Sequence, residues 1–217
     1  LETIDFRKDT TFAFMRGASR CGHEVFYLPK GGIHFSEKIV RFEVTPVVPQ
    51  DNPKNLFDIS PVTVLSDAVV DVIFIRNNPP FDTQYLMNTW LLEPLANRIA
   101  VINDPQGLRG ANEKLWAMQF PSLIPETLVT RSRAMFNEFL KKHESIVVKP
   151  TDGFGGAGVF VVRHGDRNAQ VIFETLSKNG RRELVLQKMI PEARNGDKRI
   201  LLLNGEILGA VLRVQRG

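Results

Sequence analysis

Apolar and polar positions change their spacing along the 217-residue chain, and each change marks a different kind of element. After Asp9-Thr10-Thr11, a capping-type start, Phe12, Met15 and Ala18 recur near one face. This predicts a helix to about Arg20, stopped by Gly22. His23 to Leu28 reads as a short strand and Gly31-Gly32 as a turn. The alternation from Ile33 to Val48 predicts one or two strands ending at Pro46 and Pro49. The polar stretch Asn52 to Ser66 predicts a loop. Asp71 to Arg76 is a buried-type strand, Asn77-Asn78-Pro79-Pro80 breaks it, Asp82 caps a helix through about Asn97, and Val101-Ile102 is a further short strand. Such a strand–helix–strand run predicts an α/β layer with a parallel sheet. A helix from about Leu108 to Gln119 follows, closed by Pro121.

From Pro125 the elements shorten and alternate differently. The pattern predicts strand Glu126 to Thr130, helix Arg133 to Lys142, strand Ser145 to Pro150, then a glycine cluster. Strand Val159 to Arg163, helix Gln170 to Ser177 and strand Glu183 to Met189 come next. Asn204-Gly205 between two apolar runs, Lys198 to Leu203 and Glu206 to Val214, is a strong hairpin signal. The fold class is therefore α/β followed by α+β of largely antiparallel character, with domains expected at 1–104 and 105–217.

Composition adds little beyond class. At 43% hydrophobic, 9% aromatic and 24% charged, the chain has the make-up of a globular protein. No apolar run approaches the roughly 20 residues that cross a bilayer, so no membrane association is expected. Cys21 is the single cysteine and the four histidines are scattered. That leaves no disulfide framework and no thiolate zinc site, and it points to a reducing cytoplasm. The formal charge of +4 is spread along the chain. A nucleic-acid binder concentrates such charge in a stripe with interleaved aromatics, so no nucleic-acid partner is expected; a small anionic ligand fits as well.

The segment Asp152-Gly153-Phe154-Gly155-Gly156-Ala157-Gly158 satisfies G-x-G-x-x-G, yet its context is wrong for a dinucleotide fingerprint. That motif opens a helix, whereas Val159-Phe160-Val161-Val162 is β-branched and aromatic. No Gly-Lys-Ser/Thr follows, which excludes a Walker A loop. A glycine turn between strands can still bring backbone N–H groups onto anionic oxygens; a plain surface turn is the alternative. Lys149 stands three residues before the loop, where its ammonium either joins a covered anion or is a solvated strand end. Lys114 lies on the expected helix, as a second cation or as a charge on its wet face. Leu184 to Pro191 either presents backbone groups and Met189 and Ile190 to a purine, or is a core strand. In Asn195-Gly196-Asp197-Lys198-Arg199, Asp197 suits ribose hydroxyls and Arg199 a phosphate or carboxylate; an ion-pair cluster is the alternative. No Ser/His/Asp or Cys/His nucleophile is present.

The order of these segments resembles the prokaryotic glutathione synthetase family of the ATP-grasp superfamily. The residues that carry the likeness are Asn112-Glu113-Lys114, Pro125 to Arg131, Val148-Lys149-Pro150 with Asp152 to Gly156, and Gly196 to Arg199. Upstream, Arg76 to Asp82 and Asn103 to Arg109 resemble the same family. The resemblance implies an ATP-grasp domain preceded by an α/β amino-terminal domain, with a small lid subdomain at about 122–187. It implies that Lys114 and Lys149 contact ATP, and that Gly153, Gly155 and Gly156 cover the phosphates. Gln187, Lys188, Met189 and Ile190 would line the adenine slot and Asp197 would meet the ribose. Arg199, with Lys149, would serve the reacting end, and Arg76, Arg199 and Arg213 would hold substrate carboxylates. The implied reaction joins γ-glutamylcysteine and glycine at the expense of ATP, with Mg²⁺ or Mn²⁺ as cofactor, in a homo-oligomer. The family pattern also places a strand ahead of Leu1 and its metal ligands beyond Gly217, so no metal ligand is assigned here. Ligases that join D-alanines or add glutamate to proteins, and a non-catalytic ATP-binding protein, are the rival readings.

Overall fold

Asp9 opens the first helix as its spacing predicts. Its carboxylate accepts from the Thr11 N–H at 2.7 Å and the Phe12 N–H at 3.3 Å, and α1 runs Thr10–Arg20. The computed structural model describes residues 1, 4–37, 39–78, 80–152 and 155–214. They divide into two compact units, Leu1–Asn112 and Glu113–Gly217.

In the first unit, β1 (Phe26–Tyr27), β2 (Ile33–Ser36), β3 (Ile39–Asn52), β4 (Asn55–Ile59) and β5 (Thr63–Ser66) form one antiparallel sheet. Strand β3 is its spine and pairs with all four others. Its alternation is the period-2 pattern of a half-buried strand: Val40, Phe42 and Val44 are buried while Arg41 and Glu43 are exposed. The expected loop at 52–66 is wrong, because β4 and β5 lie there. Asn55 and Asp58 hide the strand signal of β4, and for both strands the ladder to β3 decides the conformation instead.

The expected βαβ layer is present in the same unit. Strands β6 (Val72–Phe74) and β7 (Ala100–Ile102) pair in parallel across α2 (Thr83–Leu92), which Asp82 caps through the Tyr85 N–H. Leu92, Leu95 and Ile99 share a core with Val40, Phe42, Val44 and Ile75. Helix α3 (Pro105–Gly110) ends far short of the expected Gln119. After Gly110 the chain turns, and two 3-10 turns, Trp116–Gln119 and Pro121–Leu123, follow. Arg109 pairs with Glu93 and Leu108 packs on the same core, which holds α3 in the first unit and puts the division after Asn112.

The second unit holds β8 (Thr127–Thr130), α4 (Arg133–His143), β9 (Ser145–Pro150), β10 (Phe160–Arg163), α5 (Ala169–Leu176) and β11 (Leu184–Lys188). The four strands make an antiparallel sheet in the order β10-β9-β11-β8. Both α-helices lie on one face of it. Phe136, Phe139 and Leu140 of α4 and Ala169 and Phe173 of α5 pack on Ile146, Val148, Val162, Leu184 and Leu186. Each of these side chains other than Ala169 contributes about 1.5–3 kcal/mol by leaving water. Strands β12 (Asp197–Leu203) and β13 (Glu206–Arg213) form the expected hairpin. Its turn residues Asn204 and Gly205 have φ of +51° and +84°, both positive as a tight I′-type turn requires.

Candidate active site

The register of the sheet sorts the predicted residues. Cross-strand partners share a face, and alternate residues on a strand share it too. Lys149 pairs with Val185, which pairs with Val129; Val147 pairs with Gln187, which pairs with Thr127. Val161 of β10 pairs with Val147. These residues therefore line the face opposite α4 and α5: an apolar strip carrying one ammonium at Lys149 and one amide at Gln187.

Lys149 is half-buried, and its ammonium makes no hydrogen bond or ion pair with a described residue. Burial holds its pKa below the ordinary 10.5, the nearby positive charge of Lys114 lowers it further, and Glu113 works in the opposite direction. Lys114 sits in a turn rather than on the expected helix, which changes how it is presented. Its side chain is 11% exposed and its ammonium lies 2.7 Å from Glu113. The Lys149 ammonium is thus half-buried with the Lys114 charge near it, an arrangement that an anion stabilises.

The glycine turn follows directly. Gly155, Gly156 and Gly158 have φ of +60°, +81° and +72°, backbone that a side chain would strain. The turn joins β9 to β10, as the β-branched sequence after it predicts. Gly153 lies outside the described residues. Asp152 is ion-paired with Arg182.

At the other end of the strip, the Gln187 amide donates to Thr127 Oγ1 at 2.9 Å. Lys188 falls on the other parity of β11, so its side chain leaves the Lys149 face. Its N–H donates to Glu126 O, and the Met189 N–H donates to Ser145 O. Those two donors are committed to the sheet, which leaves the segment's carbonyls and the Ile190 N–H as the backbone groups for a purine edge. Met189 keeps the parity of Gln187, and Ile190 is 46% exposed.

On the hairpin, Asp197 pairs with Arg213 and Arg199 with Val211, so Asp197, Arg199 and Arg213 share one face. The Arg213 guanidinium bonds the Asp197 carboxylate, its Nε donating at 3.0 Å. The two groups therefore neutralise each other here rather than standing apart for ribose and substrate. Gly196, at φ +107°, leads into β12, and a Cβ there would drive into the Arg213 carbonyl. Arg76 lies in the first unit, where it donates to Thr10 Oγ1 at 2.5 Å and Thr11 Oγ1 at 3.3 Å and sits over the Phe14 ring.

Residues 1–109 match the prokaryotic glutathione synthetase N-terminal domain, and residues 113–217 match the prokaryotic glutathione synthetase ATP-grasp domain. The chain belongs to the prokaryotic glutathione synthetase family. It is 36% identical over 207 residues to the glutathione synthetase of Vibrio cholerae, covering 95% of this chain and 65% of that one. Identity to the glutathione synthetase of Escherichia coli K12 is 38%, over 95% of this chain and 66% of that one. The chain thus spans just under two thirds of the length of these curated relatives. Among solved structures, the macrocyclase MdnC from Microcystis aeruginosa, bound to its precursor peptide, aligns with a TM-score of 0.58 at 16% identity, over 93% of this chain and 70% of that one. The D-cycloserine synthetase DcsG aligns at 0.54 and 19%, over 69% and 54%. These likenesses show the ATP-grasp fold.

Glutathione synthetases, like ATP-grasp enzymes in general, use ATP with Mg²⁺ or Mn²⁺. Among the described residues no three His, Cys, Asp or Glu side chains gather to hold a metal ion. No described helix is long and apolar enough to cross a membrane. Thr127 escaped the sequence reading except as part of a family segment. Its partnership with Gln187 spans 60 residues, and only the β8–β11 register reveals it.

Proposed function

We propose that the protein is an ATP-dependent carboxylate–amine ligase that joins γ-glutamylcysteine to glycine, as a cytoplasmic homo-oligomer. The observation that carries the substrates is the match of residues 1–109 to a domain particular to glutathione synthetases, outside the ATP-grasp domain. The net positive Lys149 strip supports the nucleotide.

A carboxylate resists attack by an amine because it already bears negative charge. In the proposed reaction a carboxylate oxygen of the dipeptide's cysteinyl end attacks the γ-phosphorus of ATP, and ADP leaves with the electron pair of the broken P–O bond. The resulting acyl phosphate accepts the glycine nitrogen at its carbonyl carbon. The tetrahedral intermediate then expels phosphate, and the amine loses its proton. Lys149 and Lys114 would neutralise the transferring phosphoryl group and hold it in place, which is most of what phosphoryl transfer asks of a protein. Turning the glycine backbone over the phosphates would keep water from the acyl phosphate. Arg199 would meet the reacting carboxylate.

Phosphate release by the full-length protein, with product mass spectrometry, tests this reading. ATP, Mg²⁺, γ-glutamylcysteine and glycine together are expected to give ADP, phosphate and the tripeptide, and omission of either co-substrate to leave little turnover. Joining of D-alanines or of glutamate, with no tripeptide formed, would overturn the substrates and leave the ligase class.

A further inference from the structure

The amide of Gln187 is held in one of its two orientations by a relay that the sequence does not display. Thr127 Oγ1 donates its single proton to the Pro125 carbonyl at 2.7 Å. A carbonyl offers no proton in return, so the hydroxyl has only lone pairs left for Gln187. The group 2.9 Å from it must therefore be the Gln187 –NH₂, and the Gln187 carbonyl oxygen points elsewhere. No described residue donates to that oxygen. Gln187 is half-buried on the same face as Lys149, one same-face step along β11 from Val185, or about 7 Å. A nucleotide with phosphates at Lys149 and its base toward Ile190 lays the base edge against this amide.

We propose that Thr127 is a positioning residue for base specificity, acting through Gln187 and resting on the nucleotide-site reading above. With the relay intact, Gln187 presents an acceptor. The exocyclic amine of adenine donates to it, whereas the guanine carbonyl at the same ring position meets it acceptor to acceptor. With the relay cut, the amide is free to turn over and present N–H, which suits guanine. A site built to bond one polar group rejects the base lacking it because a half-buried polar atom is left unpaired.

The test is the dissociation constant of the full-length protein for ATP, GTP and purine riboside triphosphate, which lacks the exocyclic amine. The wild type is expected to prefer ATP over both. Thr127→Val, nearly the same shape without the hydroxyl, is expected to shrink the ATP:GTP preference by about five- to tenfold. Thr127→Ser keeps the hydroxyl and is expected to retain the preference. Thr127→Ala gives the same reading as the valine variant if that one does not fold. A purely structural role lowers the thermal midpoint and leaves the ratio alone. An unchanged ratio in folded Thr127→Val or Thr127→Ala overturns the relay while ATP binding stands. A wild type that binds no ATP overturns the nucleotide site itself.

Discussion

The two faces of the β8–β11 sheet come from the same four strands and do opposite things. One face sends Ile146, Val148, Leu184 and Leu186 into α4 and α5, where every one of them is fully buried. The other carries Lys149, Gln187 and Thr127 among valines, and its ammonium is half-buried without a bonded partner among the described residues. The first face is closed by α4 and α5; on the second Val185 is covered as well, while Lys149 and Gln187 stay half-buried. On the second, burial and the charge of Lys114 hold the Lys149 pKa down, and Glu113 offsets part of that. Stability is stored on one side of each strand, and the proposed nucleotide face lies on the other.

The comparison breaks if substitutions on the two faces have similar consequences. The largest expected effect is on the helix side. Phe136→Ala removes a fully buried ring that packs at a tilt against Phe173 and should lower stability by about 3–5 kcal/mol in urea unfolding. The ATP affinity of the folded fraction should not change. On the open side, Lys149→Met should weaken ATP binding by about 1.5–3 kcal/mol in calorimetric titration, the usual worth of a charge-assisted contact. The same variant should not destabilise the unliganded protein, since it removes a desolvated like charge. A Lys149→Met variant that unfolds easily and binds normally would place Lys149 in the core account instead.

The pH dependence sharpens the point. With the folded pKa of Lys149 held below 10.5, the unfolded chain binds more protons between the two values. Stability contributed at this site therefore rises with pH across that window, and the penalty is full below it. Lys149→Met should abolish this rise in unfolding curves taken at successive pH values. The smallest effect belongs to the Arg182–Asp152 pair beside the glycine turn, whose side chains are 38% and 42% exposed. Arg182→Ala should cost under about 1 kcal/mol, less still at high salt.

The helix-facing side was legible in the sequence because its signal is local. Two consecutive valines in β9 and the spacing of Phe136, Phe139 and Leu140 fix strand and helix within a few residues. The turn at Asn204-Gly205 was legible for the same reason. Strands β4 and β5 were not, since their apolar residues follow no clean period and β3 supplies what local preference lacks. The break after Gly110, which takes Lys114 off the expected helix, was missed because the residues on both sides of it are good helix formers. On the other side, the glycine turn between β9 and β10 could be read from the β-branched residues that follow it. The Thr127–Gln187 partnership could not, because it exists only once β8 lies beside β11. Nor could the occupation of Arg213 by Asp197, which comes from hairpin register.

The central claim is that the open face is an unsatisfied cation site awaiting the phosphates of a nucleotide. Its most direct test is the titration of the Lys149 ammonium by the NMR shift of its ε-carbon, in full-length protein with lysine labelled, with and without ATP. Lys149→Met assigns the signal. The expected result is a pKa below that of the surface lysines in the unliganded protein, rising when ATP binds. A Lys149 that titrates with the surface lysines in both states, unmoved by ATP, would contradict the claim.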